Sequence, residues 1–438
     1  MLRLLCQAQN YAWGRPGDAS EVASLCEANG EDVDKSKPYA ELWMGTHPSG
    51  PSKTAPGGGG EGETLEAWIT AHSDSLGKAV VARFGKVLPF LFKVLSVRTA
   101  LSIQSHPDKK LAERLHAERP NVYKDPNHKP EMAIALHDFQ ALCRFVSHEK
   151  LVEAVKSNPE LRACIGEREC EDLLGQTENK KQALKEAFTK LMTCEKEIYS
   201  VAVEGLVARL QREAKSRTLS DKENLVLILN EQYPSDVGVL AAFFLNLVKL
   251  DPGQAIYLPA NEPHAYVSGE LVECMAASDN VVRAGLTPKL RDTEVLCSSL
   301  TYDQGIPQIL EGDVVNEHVK SYRPPFDEFE VQSISVPGGT SATLPVNQGP
   351  IILLVQKGTG QAKATAPMSD TALETDTKLS RGNVFFVPAG TSLEVSTDDA
   401  PLLMWAACVN QKVVDGTLER SNIVPAPLQT KAAGVNVE

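Results

Sequence analysis

The sequence lacks any hydrophobic run long enough to cross a membrane. A membrane-spanning helix needs about 20 consecutive apolar residues, and the longest apolar stretch here, residues 239–248, is interrupted by Asn246. The apolar start, residues 1–5, is too short for the core of a signal peptide. We therefore expect a cytoplasmic protein with no membrane partner.

The sequence also lacks an excess of basic residues and any CxxC pair of cysteines. The chain has 44 lysines and arginines against 57 acidic residues, a net charge of −13. We expect no nucleic-acid partner, which would need a basic face, and an anionic small substrate would need a local basic pocket. The nine cysteines show no CxxC spacing, which favours reduced thiols over a disulfide framework.

The pattern along the 438 residues predicts a mainly β chain with a helical insertion. Strand-like segments dominate before about residue 100, as in residues 87–97 and 101–105, and again after residue 251. The segment between them is rich in Glu, Lys, Leu and Ala at helical spacing. We predict four parts: a first β domain over 1–146, a helical domain over 147–250, the rest of the first domain over 251–310 and a second β domain over 311–438.

Capping residues mark individual helices of the insertion. Ser147 can cap its first helix, and residues 181–193 have the spacing of an amphipathic helix. Ser220 and Glu223 have the spacing of a capping box.

Two segments of the β-rich parts repeat one another. Residues 253–264 and 382–393 share a glycine, an apolar strand, Pro-Ala and a turn at the same internal spacing, which suggests a duplicated β domain. The last position is His264 in the first copy and Leu393 in the second. If this position binds a metal, the first copy is catalytic and the second is metal-free.

Candidate metal ligands fall on other segments as well. Along the predicted strand of residues 101–106, Gln104 and His106 share one face because side chains alternate. Glu131 stands at the mouth of another apolar strand, where a carboxylate is either exposed or paired with a cation.

A hairpin with a two-residue turn at Ser268 and Gly269 would place Glu273 opposite His264, in the same pocket. A slip of one residue would put Glu273 outside it.

Two histidine nitrogens, a glutamate carboxylate and a glutamine amide oxygen make a four-ligand set. Zinc fits this set, with iron, manganese and cobalt as alternatives.

These segments resemble type I mannose-6-phosphate isomerase (phosphomannose isomerase). The resemblance rests on motifs that occur in the family's order: residues 10–14, 39–50, 101–109, 127–131, 256–273 and 283–289. It implies two cupin (jelly-roll) barrels, the first metal-binding and carrying the helical insertion, the second metal-free. It also implies interconversion of D-mannose 6-phosphate and D-fructose 6-phosphate.

The resemblance also assigns roles to residues. It implies one Zn²⁺ per chain, bound by Gln104, His106, Glu131 and His264, and an arginine essential to activity at Arg283. The positions expected to bind the substrate or its phosphate are the following: Trp13, Lys93, Ser102, Tyr266, Asp279 and Lys289.

Isomerisation requires a base that moves a proton between C1 and C2 through an enediol(ate). Glu273 is the first candidate because the hairpin places it beside His264, and Lys129, His47 or a zinc-bound water are the alternatives. Zinc is expected to stabilise the developing negative charge, and Arg283 to position and polarise the substrate. We expect a monomer whose product supplies mannose for GDP-mannose synthesis and glycosylation.

Two other functions deserve comparison. An iron-dependent cupin dioxygenase favours two histidines and a carboxylate with several open positions, whereas Gln104 fills a fourth position here. A sugar-binding or storage protein needs neither a metal site nor Arg283. The isomerase is therefore the leading hypothesis.

Overall fold

The structure, a computed structural model, describes residues 1–56, 62–175, 179–367 and 375–416. Residues 417–438 of the predicted second β domain lie outside the described residues. No helix in the described ranges is both long and apolar enough to span a membrane.

The N-terminal part combines short strands with four helices. Its elements are β1 (Leu2–Leu5), β2 (Gln7–Gln9), β3 (Arg15–Pro16), α1 (Glu21–Ala28), β4 (Pro38–Tyr39), β5 (Glu41–Met44), β6 (Lys53–Thr54), α2 (Leu65–Ala71), a 3₁₀ helix (Ser73–Leu76), α3 (Lys78–Phe84), β7 (Phe90–Val97), β8 (Ile103–Ser105), α4 (Lys109–Glu118), β9 (Glu131–Ala135) and β10 (Phe139–Phe145).

The middle part is helical. It consists of α5 (His148–Ser157), α6 (Pro159–Ile165), α7 (Glu167–Leu174), α8 (Lys180–Thr193), α9 (Lys196–Glu213), α10 (Asp221–Gln232), α11 (Val237–Ala241) and a 3₁₀ helix (Ala242–Phe244).

Strands return after the insertion. These elements are β11 (Leu245–Leu250), β12 (Ala255–Leu258), β13 (His264–Ala276), β14 (Val282–Gly285), α12 (Thr293–Ser299), β15 (Ile309–Leu310), β16 (Asp313–Val314), β17 (Val319–Tyr322), β18 (Glu330–Val336), β19 (Ser341–Leu344), β20 (Ile351–Lys357), β21 (Thr359–Thr365), β22 (Asp376–Ser380), β23 (Val384–Val387), β24 (Ser392–Thr397), β25 (Leu402–Cys408) and α13 (Gln411–Val414).

The predicted helix starts of the insertion are confirmed. The Ser147 side chain accepts a hydrogen bond from Lys150 N and caps α5. Ser220 and Glu223 form both halves of a capping box on α10, and the amphipathic segment 181–193 lies within α8. These caps satisfy backbone donors that have no partner within the helix.

The structure differs from the predicted division of the chain in two respects. The stretch before residue 100 is less purely β than expected, because α1 and α2 begin at the capping residues Ser20 and Thr64. The helical insertion ends at Phe244, and β11 follows it, antiparallel to β10. In β11, Asn246, Val248 and Leu250 are buried at alternate positions, which is the pattern of a strand.

Two large sheets carry the strands. The first has the order β15-β12-β9-β13-β7-β5-β2, and β8, β10, β11 and β14 join it through the first half of β13. The second has the order β16-β17-β18-β25-β20-β23-β1-β6, and the smaller sheet β19-β24-β21-β22 shares its apolar core. Among the described residues neither set of strands is seen as a closed barrel, so the structure shows a mainly β fold with a helical insertion.

The first strand of the chain lies in the second large sheet. In β1, Leu2 pairs with Phe386 and Leu4 with Val384. Because residues 1–146 were assigned to the first β domain, the pairing of β1 with the second large sheet was not predicted. The pairing partner of a strand is set by contacts far away in the sequence.

The predicted hairpin at Ser268 and Gly269 is wrong. These residues lie inside β13, which continues to Ala276 and pairs with β10 and β8 before this point and with β7 and β9 beyond it. The register with β10 shifts at Val267, which forms a β-bulge. One extra residue inverts the alternation of side chains. Glu273 therefore reaches the same interior as His264, although by a route different from the predicted one.

The repeated segments do adopt the same local structure. Gly253 and Gly382 have φ values of 86° and 82°, and each precedes a short strand, β12 or β23. His264 and Leu393, at the last position, are both buried, and Leu393 belongs to the apolar core of the second part.

Candidate metal centre and active site

Three predicted ligands converge at one end of the first sheet. His106 follows β8, Glu131 begins β9 and His264 begins β13. One donor atom from each of these residues lies within 4.8 Å of the others, and the residues are only 0%, 3% and 1% exposed. The segments predicted to supply ligands therefore meet in a single buried cluster.

A backbone carbonyl orients each imidazole. His106 Nδ1 lies 2.7 Å from Asn280 O, and His264 Nδ1 lies 3.1 Å from Glu262 O. Because a carbonyl oxygen only accepts hydrogen bonds, Nδ1 carries the proton in both rings and Nε2 presents a lone pair.

The two Nε2 atoms face the carboxylate of Glu131. They lie 3.2 Å and 3.4 Å from its oxygens, yet both are buried and have no hydrogen-bond partner in the described part of the chain. Lone pairs that face a carboxylate at these distances repel one another unless a cation lies between them. The donor set therefore fits a divalent ion such as zinc.

The protonation of the cluster agrees with this fit. Burial, together with the Lys129 ammonium, lowers the pKa of His106 to about 4, so the ring is neutral at pH 7. Burial opposes ionisation of Glu131, but the Lys129 ammonium, 3.3 Å from Oε1, helps to hold its pKa well below the usual range. Neutral imidazoles and an ionised carboxylate are the forms that bind metals.

The neighbouring strands place Gln104 and Arg283 next to the cluster. In β8, Gln104 pairs with His264 of β13 on one side and with Arg283 of β14 on the other. Residues that are directly opposite in an antiparallel pair share a face of the sheet. Gln104 and Arg283 are half-buried, and burial lowers the pKa of the Arg283 guanidinium.

A second buried cluster adjoins the histidines. Lys93 Nζ lies 3.1 Å from Glu273 Oε2 and 3.5 Å from Glu41 Oε2, and the Tyr266 hydroxyl donates to Glu273 Oε1 over 2.8 Å. Burial alone would lower the pKa of Lys93, but the charges of these glutamates raise it overall. Burial raises the pKa of Glu273, against the opposing charge of Lys93. Glu41 was not predicted, because nothing in its local sequence indicates the pairing of β5 with β7.

His47 and Lys129, two of the residues predicted to be catalytic, contact the acidic side chains around the same interior. His47 is 2% exposed, and its Nε2 lies 3.2 Å from Asp279 Oδ1. Partial burial opposes ionisation of Asp279, but the hydrogen bond with His47 lowers its pKa. Lys129 Nζ lies 3.3 Å from Glu131 Oε1.

The chain matches the model of the type I phosphomannose isomerase catalytic domain over residues 1–148 and that of the helical insertion domain over residues 149–245. It is 45% identical to mannose-6-phosphate isomerase 1 of Arabidopsis thaliana, with 94% of each chain covered. It is 42% identical to the mannose-6-phosphate isomerase of Homo sapiens, with 92% of this chain and 97% of the human one covered. The chain belongs to the type I phosphomannose isomerase family.

A solved structure supports the same membership. The mannose 6-phosphate isomerase of Salmonella typhimurium, bound to its substrate fructose 6-phosphate and to zinc, superposes with a TM-score of 0.78. It has 29% sequence identity, and the match covers 94% of this chain and 99% of that one.

The remaining predicted residues of this family member are less buried. Trp13 packs against the apolar interior of the first sheet, and Ser102 is half-buried just before β8. Lys289 is exposed, and its pKa is lowered by partial burial and by the charge of Arg283. These side chains lie outside the densely hydrogen-bonded clusters, and their assignment rests on the family resemblance.

A group of residues behind the metal centre was not predicted from the sequence. Asp125, Ser278 and Asn280 are 3%, 1% and 1% exposed and are joined by hydrogen bonds. The only local signal was Asp125-Pro-Asn127, in which the aspartate can accept a hydrogen bond from the backbone two residues later. That bond is present, over 2.9 Å.

Proposed function

We propose that this chain is a zinc-dependent mannose-6-phosphate isomerase that interconverts D-mannose 6-phosphate and D-fructose 6-phosphate. The observation that carries the proposal is the juxtaposition of the His106, Glu131 and His264 cluster with the buried pair Glu273 and Lys93. An aldose–ketose isomerase needs both a Lewis acid and a proton carrier within reach of C1 and C2. The relatives and the substrate-bound Salmonella structure support this substrate class.

One Zn²⁺ would be held by Nε2 of His106 and His264, the carboxylate of Glu131 and the amide oxygen of Gln104. When bound, it supplies Lewis acidity that stabilises negative charge developing on the C1 and C2 oxygens. The protein contributes preorganisation, because the carbonyls of Asn280 and Glu262 hold both rings in the metal-binding tautomer.

Glu273 is the proposed base for the proton transfer between C1 and C2 through an enediol(ate). Its raised pKa increases its basicity, and Tyr266 and Lys93 hold its carboxylate in place from two sides. Lys129 and His47 remain the alternative proton carriers, because both face the same interior, Lys129 through its contact with Glu131 and His47 through its contact with Asp279. A zinc-bound water is the third alternative.

Arg283 is proposed to position and polarise the substrate, and Ser102, Lys93 and Lys289 to bind its phosphate. Arg283 makes no ion pair with a described residue, so its charge is available to an anion. Trp13, Tyr266 and Asp279 are proposed to line the sugar site. In a chain with a net charge of −13, Arg283 and Lys289 supply the local positive charge that a sugar phosphate needs, because Lys93 is already paired with Glu41 and Glu273.

The wider assignments are proposals of the same kind. We propose that residues 1–146 and 251–310 form the catalytic cupin domain, that 147–250 form the helical domain and that 311–438 form a metal-free cupin-like domain. We further propose a cytoplasmic monomer without nucleic-acid or membrane partners, whose product supplies GDP-mannose synthesis. The shared conformation of the repeated segments supports two related β domains.

His264→Ala tests the metal and the function together. Removal of one imidazole should abolish both stoichiometric zinc and turnover, measured by metal analysis and by fructose 6-phosphate formation. His318→Ala is the matched control, because His318 lies in the second β part, directly before β17, where its Nε2 contacts Glu317. Full activity in a metal-free His264→Ala protein would contradict the zinc mechanism.

A further inference from the structure

The carboxylate of Asp125 joins the two segments that lie behind the metal centre. Its oxygens accept hydrogen bonds from Asn127 N over 2.9 Å, Ser278 Oγ over 2.9 Å, Asp279 N over 2.8 Å and Asn280 Nδ2 over 3.3 Å. Asp125 and Asn127 belong to the segment that leads into β9, and the other three residues to the loop between β13 and β14. The aspartate therefore fixes one segment against the other.

Each of these segments delivers groups to the active site. The carbonyl of Asn280 accepts from His106 Nδ1 over 2.7 Å, and Asp279 Oδ1 lies 3.2 Å from His47 Nε2. The segment that follows Asp125 carries Glu131. A displacement of either segment would therefore rotate the imidazole of His106 or move the carboxylate that faces it.

We infer that Asp125 is a positioning residue that preorganises the metal centre by holding the Asn280 carbonyl against His106. This inference rests on the proposed zinc site. Within the described part of the chain, Asp125 forms no hydrogen bond or ion pair with a proposed metal ligand, so it acts through the loop. Outer hydrogen bonds of this kind fix the orientation of ligating imidazoles, and their loss typically lowers metal affinity by about 10–100-fold.

The chemistry of the contacts favours a carboxylate over the isosteric amide. All four partners are donors, and an ionised aspartate offers only acceptors. An asparagine would turn an NH₂ group toward at least one of these donors in a site that is 3% exposed. Asn280 Nδ2 also donates to the carbonyls of Asp125 and Asn127 over 2.6 Å and 2.9 Å, so the backbone framework remains when only the carboxylate is changed.

Asp125→Asn should lower zinc affinity by about 10-fold or more, measured by competition with a chromogenic chelator on the full chain. Asp236→Asn is the matched control. Asp236 accepts from Gly238 N and Leu286 N, each over 2.7 Å, and among the described residues it forms no hydrogen bond or ion pair with the ligand cluster. It should lose thermal stability without losing zinc affinity. Equal zinc affinity in Asp125→Asn and the wild type would overturn the inference, as would an equal loss in both variants.

Ser278→Ala provides a second variant in case Asp125→Asn does not fold. It removes one of the four donors and should weaken zinc binding several-fold; an unchanged affinity would overturn the inference. Turnover is measured separately in the wild type. Wild-type protein that binds zinc but makes no fructose 6-phosphate would overturn the proposed function alone. Normal turnover with unchanged zinc affinity in Asp125→Asn would overturn the positioning role alone.

Discussion

At the scale of single residues, β13 places two buried glutamates in different surroundings. Glu273 points to the interior with Lys93 and Tyr266. Glu270 is 3% exposed and accepts from Ser96 Oγ over 2.5 Å, while Arg15 Nη1 lies 3.1 Å from its other oxygen. Burial raises the pKa of both carboxyls. Only Glu273 lies beside the metal centre, so the pair separates a catalytic effect from a structural one.

Glu273→Gln should retain zinc and lose turnover. An amide of the same shape can still accept from Tyr266 but cannot take up a proton, and loss of a general base typically lowers kcat by about 10²–10⁴-fold. Glu270→Gln, on the same strand, should retain kcat within a few-fold. An unaffected kcat in Glu273→Gln would assign the base to Lys129, His47 or a zinc-bound water.

Glu270 should also make stability depend on pH. Burial raises its pKa to about 7 in the folded protein, against about 4.3 in an unfolded chain. Between these values the folded state binds more protons, so its contribution to stability is complete at low pH and is lost as the pH rises toward 7. The loss amounts to roughly 1–3 kcal/mol.

Thermal unfolding of the metal-free protein from pH 5 to pH 8 measures this contribution. Glu270→Gln lacks the titrating group, so its unfolding midpoint should rise relative to that of the wild type as the pH increases. The comparison cancels the groups that both proteins share. Parallel curves for the two proteins would contradict the assignment.

At the scale of elements, the bulge in β13 aligns the proton carrier with the metal ligands. Without the extra residue at Val267, Glu273 would face away from His264. Gly269, two residues later, has a φ of 126°, and a Cβ there would lie 2.4 Å from Asp138 O and 2.7 Å from Phe139 Cα. The close approach of β10 therefore requires glycine.

Gly269→Ala should destabilise the fold by about 2–4 kcal/mol and lower activity, because strain and clash together distort the bulge. Gly85→Ala is the control: its φ is 79°, but nothing lies within 4 Å of the added Cβ. It should cost about 1–3 kcal/mol from backbone strain alone, with activity unchanged. Equal losses of stability in the two variants would show that the contact with β10 is unimportant.

The sequence was informative where a local pattern decides the structure. The caps at Ser147 and Ser220 are determined by residues close to them in the sequence, and the strand β8, which contains Gln104 and ends just before His106, was predicted from its local pattern. The bulge at Val267 could not be predicted, since it depends on the register with β10. The hydrogen bonds of Asp125 join residues more than 150 positions apart, and no pattern within one segment indicates them.

At the scale of the whole molecule, the other parts of the chain support the metal-bearing sheet from two sides. Its outer face packs against the second large sheet in a common apolar core that includes Val94, Ile134, Ile352 and Phe386. The core of the helical insertion includes Ile103 of β8 and Ala284 of β14, the strands that carry Gln104 and Arg283. The insertion therefore helps to position two predicted site residues although it supplies none.

The proposed function is tested most directly by measuring fructose 6-phosphate formation from mannose 6-phosphate before chelation, after chelation and after zinc is added back. We predict that chelation abolishes activity and that zinc restores it, because one donor atom each from His106, Glu131 and His264 lies within 4.8 Å of the others, close enough to bind a single ion. A folded, zinc-loaded protein that forms no fructose 6-phosphate would show that the chain is not this isomerase and would favour a sugar-binding role.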